Sequence, residues 1–263
     1  MASSIAMIAL SGPPATTVSD VVSRLQKQWP HITVADPADD EETLSFTADG
    51  QLVVAGRIRA PIPWTELEGP CATSWMFPNA AAALKPHTGH AIVTVNGDAP
   101  PFQRLRLLTQ VIVALLGAWN TALGVYWPIG GMVHRPDVFA KLAVASLPAE
   151  PPLLLWIDFR VWANEDRTSS GFTCGLSHFG LMELETENAS ERPRALQDRL
   201  ISIAGYLIDN GPVLGDGHTI GEGAEAEIRV HHALSAFGRS EQVLRLVYQT
   251  PPPSPAKPWW KLR

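Results

Sequence analysis

The sequence predicts an α+β protein whose antiparallel sheets pack with a central buried helix. The stretch 102–119, FQRLRLLTQVIVALLGAW, is polar in its first half and apolar on every side in its second, so as a helix it must be buried there. The flanking stretches HAIVTV (90–95) and LGVYW (123–127) are rich in β-branched and aromatic residues between turn formers, which indicates strands. The other predicted helices are too few and too irregularly placed for a parallel doubly wound sheet.

Length and composition favour a soluble globular protein. The chain has 263 residues, of which 46% are hydrophobic, enough for one large domain or two small ones. The apolar run in 102–119 is shorter than the ~20 residues of a membrane span. The first apolar run, Ile5 to Leu10, is too short for a signal-peptide core and has no basic residue ahead of it. We therefore expect a cytoplasmic protein without a membrane anchor. In that compartment we expect Cys71 and Cys174 to be reduced, and a single disulfide between them is the alternative.

The net charge of −6 sets an expectation about partners. The sequence has no long run of lysine or arginine, and binding to a phosphate backbone depends on such a surface. Nucleic acid is therefore not expected as a partner. A charged partner of this chain is expected to be basic.

The first part of the chain predicts a β-α-β-β-β order before the central unit. Its strands fall at 5–10, 31–35, 44–46 and 52–58, with a helix at 17–29 and a hairpin turn at Asp49-Gly50. Segment 60–88 has a proline every few residues and predicts an irregular functional loop or a wrap over the core, with one short helical turn at 80–84.

The second part predicts another set of strands around a helix. The stretch LPAEPP at 147–152 is the predicted boundary, which gives domains at 1–147 and 148–250 and a proline-rich tail at 251–263. The elements predicted around the boundary are a helix at 136–145, a strand at 153–163 with a hairpin partner at 173–187, a helix at 194–210, and strands at 227–232 and 242–249. Because each half shows strands, a buried helix and further strands, a remote duplication into two similar βαββ-type halves stays open.

The segment from Tyr206 to Gly221, YLIDNGPVLGDGHTIG, resembles the C-terminal signature of bacterial DUF4261 proteins. Asn210 to Leu214 and Asp216 to Gly221 match that signature, and His218 stands where a second acid is expected. The family brings no assigned catalytic residues. The resemblance implies a small bacterial accessory protein; some proteins of this kind occur near secreted toxins, which implies an immunity role.

Nucleophilic catalysis has weak support in the sequence. Ser177 lies in GLSHF, which lacks the final glycine of a nucleophile elbow and is predicted within a strand. Cys174 and His178 are four residues apart. On a strand their side chains would point to the same face but would lie too far apart for direct contact. Cys174 is accordingly interpreted as a buried structural cysteine.

No metal or cofactor site is predicted. His87 and His90 form H-x-x-H at a loop-to-strand junction, without the helix and extra glutamate of a zinc protease. His231 and His232 point to opposite faces of a strand, and His218 is predicted to be a turn residue with a local hydrogen bond. The glycines of GDGHTIGEG follow a helix and do not form a nucleotide-binding pattern.

Paired acids offer the best alternative chemistry. Asp158 with Glu183 or Glu185, on neighbouring predicted strands, could act as general acid and base. The competing interpretation pairs Asp158 with Arg160. It also places Glu183, Glu185 and Glu187, which alternate with Leu184 and Thr186, on one solvated face of a strand.

The resulting hypothesis is a non-enzymatic protein that binds another protein, most concretely a cytoplasmic immunity protein that neutralises a secreted, type VI-like antibacterial toxin. Complementary charge would steer a basic toxin, and tryptophans would anchor it. One alternative is a small-molecule hydrolase or ligand-binding domain between segment 60–88 and the sheet, using His90, Asp158, Glu183 or His178. Another is an accessory component of a secretion apparatus with the tail WWKLR as a docking peptide. The predicted partner-binding residues are Asp39, Asp40, Glu41, Glu42, Trp64 and Trp75.

Overall fold

The computed structural model describes residues 2–221 and 228–248, so the predicted tail at 251–263 lies outside the described residues. The chain divides into two compact units, an N-terminal unit of residues 1–158 and a C-terminal unit of residues 159–263. The predicted α+β class with antiparallel sheets is confirmed. The proposed duplication of the two halves stays a prediction. In the described part of the chain, the helices all fall short of the length and hydropathy that a membrane span requires.

The N-terminal unit is a seven-stranded antiparallel sheet with helices on both faces. Its strand order is β2-β3-β4-β5-β1-β6-β7. The strands are β1 (Ala2–Leu10), β2 (Val34–Asp39), β3 (Thr43–Ala48), β4 (Gln51–Ile58), β5 (Gly89–Gly97), β6 (Ala122–Trp127) and β7 (Met132–His134). The helices are α1 (Val18–Gln28), α2 (Trp64–Thr73), α3 (Ala80–Leu84), α4 (Pro101–Ala118), α5 (Pro136–Ser146) and α6 (Leu153–Trp156).

Helix α4 is the predicted central helix, and it lies on one face of the sheet against β5 and β1, with α1 and α5 beside it. It begins with Pro101, which helices tolerate at their first position. Its buried Thr109 accepts a hydrogen bond from the indole of Trp156 at 2.8 Å and donates one to the Leu105 carbonyl at 2.7 Å. The apolar residues Leu105, Leu108, Val111, Ile112 and Leu115 are fully buried.

The opposite face is covered at the β1, β6 and β7 end by α2 and α3. Their buried side chains, among them Leu67, Cys71 and Leu84, pack with Tyr126 and Val133 of the sheet. Segment 60–88 is therefore more helical than predicted, because α2 was not expected from its sequence. A proline cap, an internal Pro70 and only two buried positions hide the helical pattern of α2.

The C-terminal unit is a six-stranded sheet with one long helix. The strand order is β11-β12-β13-β10-β9-β8, antiparallel except for the pair β10 and β13. Helix α7 packs on β9 and β10 through Leu196, Leu200, Ile203 and Leu207. The elements are β8 (Asp158–Ala163), β9 (Ser169–Cys174), β10 (Glu183–Ala189), α7 (Pro193–Asn210), β11 (Thr219–Ile220), β12 (Ile228–Leu234) and β13 (Gln242–Tyr248).

Two element predictions in this part of the chain were wrong. Residues 153–163 do not form one strand, because a helical turn, α6, precedes β8; a short, wholly apolar run does not separate helix from strand. Residues 173–187 do not form one strand either. Gly175, with φ of 127°, and Gly180, with φ of 74°, flank a 3-10 turn at Leu176–Phe179 between β9 and β10.

Candidate functional site

The acidic run predicted to bind a partner forms the end of β2 and the turn into β3. Asp39 accepts the backbone N–H of Val18 at 2.8 Å, at the start of α1, and pairs with Arg57 at 2.8 Å. Asp40 accepts the N–H groups of Glu42 and Thr43, which lowers the pKa of its carboxyl. Asp39 and Asp40 therefore hold the fold locally, and the exposed side chains of Glu41 and Glu42 are the ones available to a partner.

The two predicted tryptophan anchors lie in different surroundings. Trp64 is half-buried against the α2–α3 cluster, with the ammonium of Lys85 5.5 Å from its ring centroid. Trp75 is 55% exposed and lies beside Met132 and His134 of β7. Strands β2 and β7 are opposite edges of a seven-stranded sheet, roughly 29 Å apart at about 4.8 Å per strand. The structure therefore does not bring Trp75 and the acidic turn together.

The predicted solvated face of acids was wrong for two of its three residues. Glu183 is 3% exposed and accepts three hydrogen bonds: from the Thr173 hydroxyl at 2.8 Å and from the N–H groups of Gly175 and Ser177 at 2.9 Å each. It therefore fixes the 3-10 turn that follows β9. Strand alternation alone could not reveal this, because the donors come from a loop.

Glu185 is completely buried, and it too has a structural role. Its carboxylate accepts hydrogen bonds from the Ser235 hydroxyl at 2.5 Å, the Ala236 N–H at 2.9 Å and the Arg239 guanidinium at 2.8 Å. Burial alone would raise the pKa of Glu185, but these hydrogen bonds and the charge of Arg239 outweigh it, and the pKa lies below its usual value. Glu183 and Glu185, proposed as partners of Asp158 in acid–base chemistry, thus both serve structural contacts.

The histidines near segment 60–88 are tied to the backbone. His87 accepts the N–H of Ile62 at Nε2, at 2.8 Å, so its Nδ1 donates to the Leu84 carbonyl at 2.5 Å. His90 donates from Nδ1 to the Ala60 carbonyl at 2.7 Å. Within residues 2–221 and 228–248, no three His, Cys, Asp or Glu side chains converge so as to hold a metal ion.

Cys174 and His178 do not share a strand as expected. Cys174 ends β9, and His178 lies in the 3-10 turn that follows. Gly175, in a left-handed conformation that favours glycine, separates the two.

Sequence reasoning missed His134, the last residue of the short strand β7. Its side chain is 1% exposed, and burial lowers its pKa to about 4 against a smaller opposing effect of the Leu155 backbone. No periodicity marked it, because a three-residue strand is too short to show one.

An open groove of about 850 Å³ runs along α7 in the C-terminal unit. One wall is α7 itself, and the other is formed by residues within 214–221. Tyr206, 51% exposed, stands in the groove, and Glu191 at its rim accepts hydrogen bonds from Arg199 Nε at 2.7 Å and the Tyr248 hydroxyl at 2.9 Å. The lining residues are Glu191, Ala195, Asp198, Arg199, Ser202, Ile203, Tyr206, Leu214, Thr219, Ile220 and Gly221.

Residues 214–221, which form the second wall, extend the sheet beyond β12. Gly217, with φ of 80°, donates its N–H to the Val230 carbonyl, and Val230 donates back to His218, both at 2.8 Å. The carboxylate of Asp216 accepts the N–H of His232 at 2.9 Å. His218 accepts the N–H of Gly215 at 3.2 Å, which confirms its predicted local hydrogen bond. The glycines and the acid thus cover the free edge of β12.

Residues 172–247 match the family described as "Domain of unknown function (DUF4261)". The chain contains a DUF4261 domain. The matched residues run from the end of β9 to β13 and include every residue that lines the α7 groove, so this groove belongs to the DUF4261 domain. No curated protein and no solved structure matches the chain.

Proposed function

We propose that the chain is a non-enzymatic protein-binding protein and that the α7 groove of its DUF4261 domain receives a segment of the partner. The supporting observation is the groove itself, about 850 Å³ in volume and open along one side. Its size is within the range of binding clefts, and its open side admits a continuous chain. A helix or extended peptide lying along α7 would contact the exposed ring of Tyr206, a residue type that anchors protein interfaces.

Charge suggests the chemistry of the partner. The chain carries a net charge of −6, Glu191 and Asp198 line the groove, and Glu41 and Glu42 are exposed in the N-terminal unit. Glu191 is already paired with Arg199, so local attraction in the groove is modest. The overall negative field acts at longer range and accelerates encounter with a basic protein. A basic partner is therefore proposed.

In its most concrete form the proposal is a cytoplasmic immunity protein that binds and neutralises a secreted, type VI-like antibacterial toxin. The acidic balance of the chain and the DUF4261 domain support it. The test is to express the toxin encoded beside this gene in a sensitive bacterium, with and without the chain. Survival only when the chain is present, with a stoichiometric complex recovered from the cells, is the expected result. A chain that neither binds nor neutralises that toxin removes the immunity proposal.

A small-molecule site is the second candidate, favoured by a cleft of about 360 Å³ at the ends of β1, β4 and β5. His90, 8% exposed, lines this cleft with Thr88, Arg59, Glu41 and Arg57, and since Arg57 is paired with Asp39, Arg59 is the guanidinium that an anion would engage. Guanidinium and hydroxyl groups bind small anions. Isothermal titration with inorganic phosphate tests the cleft: binding that is lost in Arg59→Ala supports a ligand-binding domain, and heat no greater than that of dilution counts against it.

A further inference from the structure

A polar cavity of about 180 Å³ lies in the N-terminal unit, between the first half of α4 and the β3–β4 hairpin. Its α4 side is formed by residues 103, 106, 107 and 110, whose spacing puts them on one face of the helix. Three of these, Gln103, Arg106 and Gln110, belong to the polar first half of α4 that stands out in the sequence. Asp49 and Gln51 line the hairpin side, and the exposed His31 also lines the cavity.

Two of the lining glutamines are buried and carry polar atoms without a partner. Gln51 is 6% exposed and Gln110 is 3% exposed. Within residues 2–221 and 228–248, neither Oε1 of Gln51 nor Nε2 of Gln110 has a hydrogen-bond partner. Gly97 provides the room for Gln51, since a Cβ at residue 97 would lie 3.2 Å from Cγ of Gln51. Buried polar groups in folded proteins are normally hydrogen-bonded, so these two amides indicate a polar ligand.

The charged side chains of the cavity have opposite signs. Arg106, on the α4 side, is half-buried, and its guanidinium suits a carboxylate, which it can bind through two parallel hydrogen bonds. Asp49 is held on the other side because its Oδ1 accepts the N–H and the hydroxyl of Thr33, at 2.9 and 3.0 Å. A ligand with one negative and one positive group can therefore satisfy both sides.

We propose that this cavity binds a small α-amino acid. The carboxylate pairs with Arg106, the ammonium group faces Asp49, and the amides of Gln51 and Gln110 supply a donor and an acceptor to the polar atoms between them. The terminal torsion of a glutamine is broad, so each amide can turn its oxygen or its nitrogen to the ligand. A simple anion would leave Asp49 facing a like charge, and a simple cation would do the same to Arg106.

The volume of the cavity limits the ligand to a small molecule. At roughly 30 Å³ for each water molecule, about 180 Å³ holds about six waters, which is close to the bulk of serine or alanine. Clefts for drug-sized ligands begin at about 300 Å³, so a nucleotide is too large for this cavity. Few contacts are available to so small a ligand, and we expect a dissociation constant on the order of 100 μM.

Isothermal titration of the full chain with L-serine tests the proposal, and L-alanine and L-asparagine are titrated in the same way. Two analogues of serine are the chemical controls: 3-hydroxypropanoate lacks the ammonium group, and ethanolamine lacks the carboxylate. At least one of the three amino acids is expected to bind, and both analogues at least tenfold more weakly than L-serine or not at all. Absence of binding by all three amino acids up to about 10 mM, a hundred times the expected dissociation constant, overturns the proposal.

Two variants locate the binding and separate it from a structural effect. Arg106→Gln should weaken amino-acid binding at least tenfold, whereas Arg59→Gln, which changes the 360 Å³ cleft instead, should leave it within twofold of wild type. Gln110→Leu removes a buried amide that lacks a full set of partners, so it should abolish binding without lowering the melting temperature. Full binding by a folded Arg106→Gln contradicts the proposal, and so does loss of binding in Arg59→Gln. The lining residues all lie within 1–158, so these outcomes do not depend on the α7 groove.

Discussion

The two units bury their polar groups in different ways. In the N-terminal unit the buried polar side chains of the sheet are uncharged in kind, such as Ser4 and Gln51, and the buried His134 is a neutral imidazole among packed side chains. In the C-terminal unit the sheet interior includes two carboxylates, Glu183 and Glu185, each supplied with hydrogen-bond donors by a loop. A buried charge is tolerated when donors converge on it and is avoided when none do.

This difference explains when a sequence pattern predicts the buried face of a strand correctly. Alternation of polar and apolar residues predicts a strand face correctly when the sheet alone decides what is buried. It fails when a loop folds back over the polar face, as residues 235–241 do over Glu185. The first two predictions below test the contrast, beginning with the largest expected effect, and the third gives the size of an exposed helix cap for comparison.

Glu185→Ala should destabilise the protein by about 3 kcal/mol, because it leaves the Ala236 N–H without its acceptor and removes the buried carboxylate of the Arg239 ion pair, leaving Arg239 only the Thr173 carbonyl and Glu241. Chemical denaturation monitored by circular dichroism measures the change. Glu187→Ala is the control, since Glu187 lies two residues along the same strand but is exposed. We expect the control to change the unfolding free energy by less than about 0.5 kcal/mol. Similar effects of the two substitutions would show that the hydrogen bonds of Glu185 do not contribute to stability.

Acidification should destabilise the N-terminal unit through His134. Its folded-state pKa of about 4 lies below the ordinary value of 6.5, so the unfolded chain binds the proton first as the pH falls. Stability due to the neutral imidazole is complete above pH 6.5 and is lost between pH 6.5 and about 4. At pH 5 the loss should be about 2 kcal/mol. Denaturation at pH 7 and pH 5 measures it, and His134→Leu should lose correspondingly less; equal losses would contradict the assignment.

Thr17→Ala should cost about 1 kcal/mol, the smallest of the three effects. Thr17 and Asp20 form a reciprocal capping box at the start of α1: the Thr17 side chain accepts the Asp20 N–H, and Asp20 accepts the Thr17 N–H. Thermal unfolding is the measurement, and Thr17→Ser, which keeps the hydroxyl, is the control. If the serine variant is destabilised as much as the alanine variant, the cap is not the reason.

Much of the fold could be predicted from residues whose local signals agree with their packing. The helix at 102–119, the strands on either side of it and the hairpin at Asp49-Gly50 all appear as α4, β5, β6 and the β3–β4 turn. Helix α2 could not be predicted, because prolines at its cap and interior mask a pattern with only two buried positions.

The candidate site was less predictable than the fold. The DGHTIG stretch was recognised from its residues. The groove that this stretch forms with α7 depends on long-range pairing of Gly217 with Val230, which no local pattern encodes. The acidic turn was visible in the sequence, but the sequence did not show that Asp39 and Asp40 serve α1 and the β2–β3 turn.

The central claim, that the α7 groove binds a partner protein, is tested most directly by titrating the purified partner into wild type, Tyr206→Ala and Trp75→Ala. Both aromatic side chains are exposed, at 51% and 55%, so the two substitutions remove comparable apolar surface from different units. The account predicts that Tyr206→Ala weakens the dissociation constant at least tenfold, the loss expected of a hot-spot residue. It also predicts that Trp75→Ala leaves the constant within about twofold of wild type. Unchanged binding by a folded Tyr206→Ala would contradict the account.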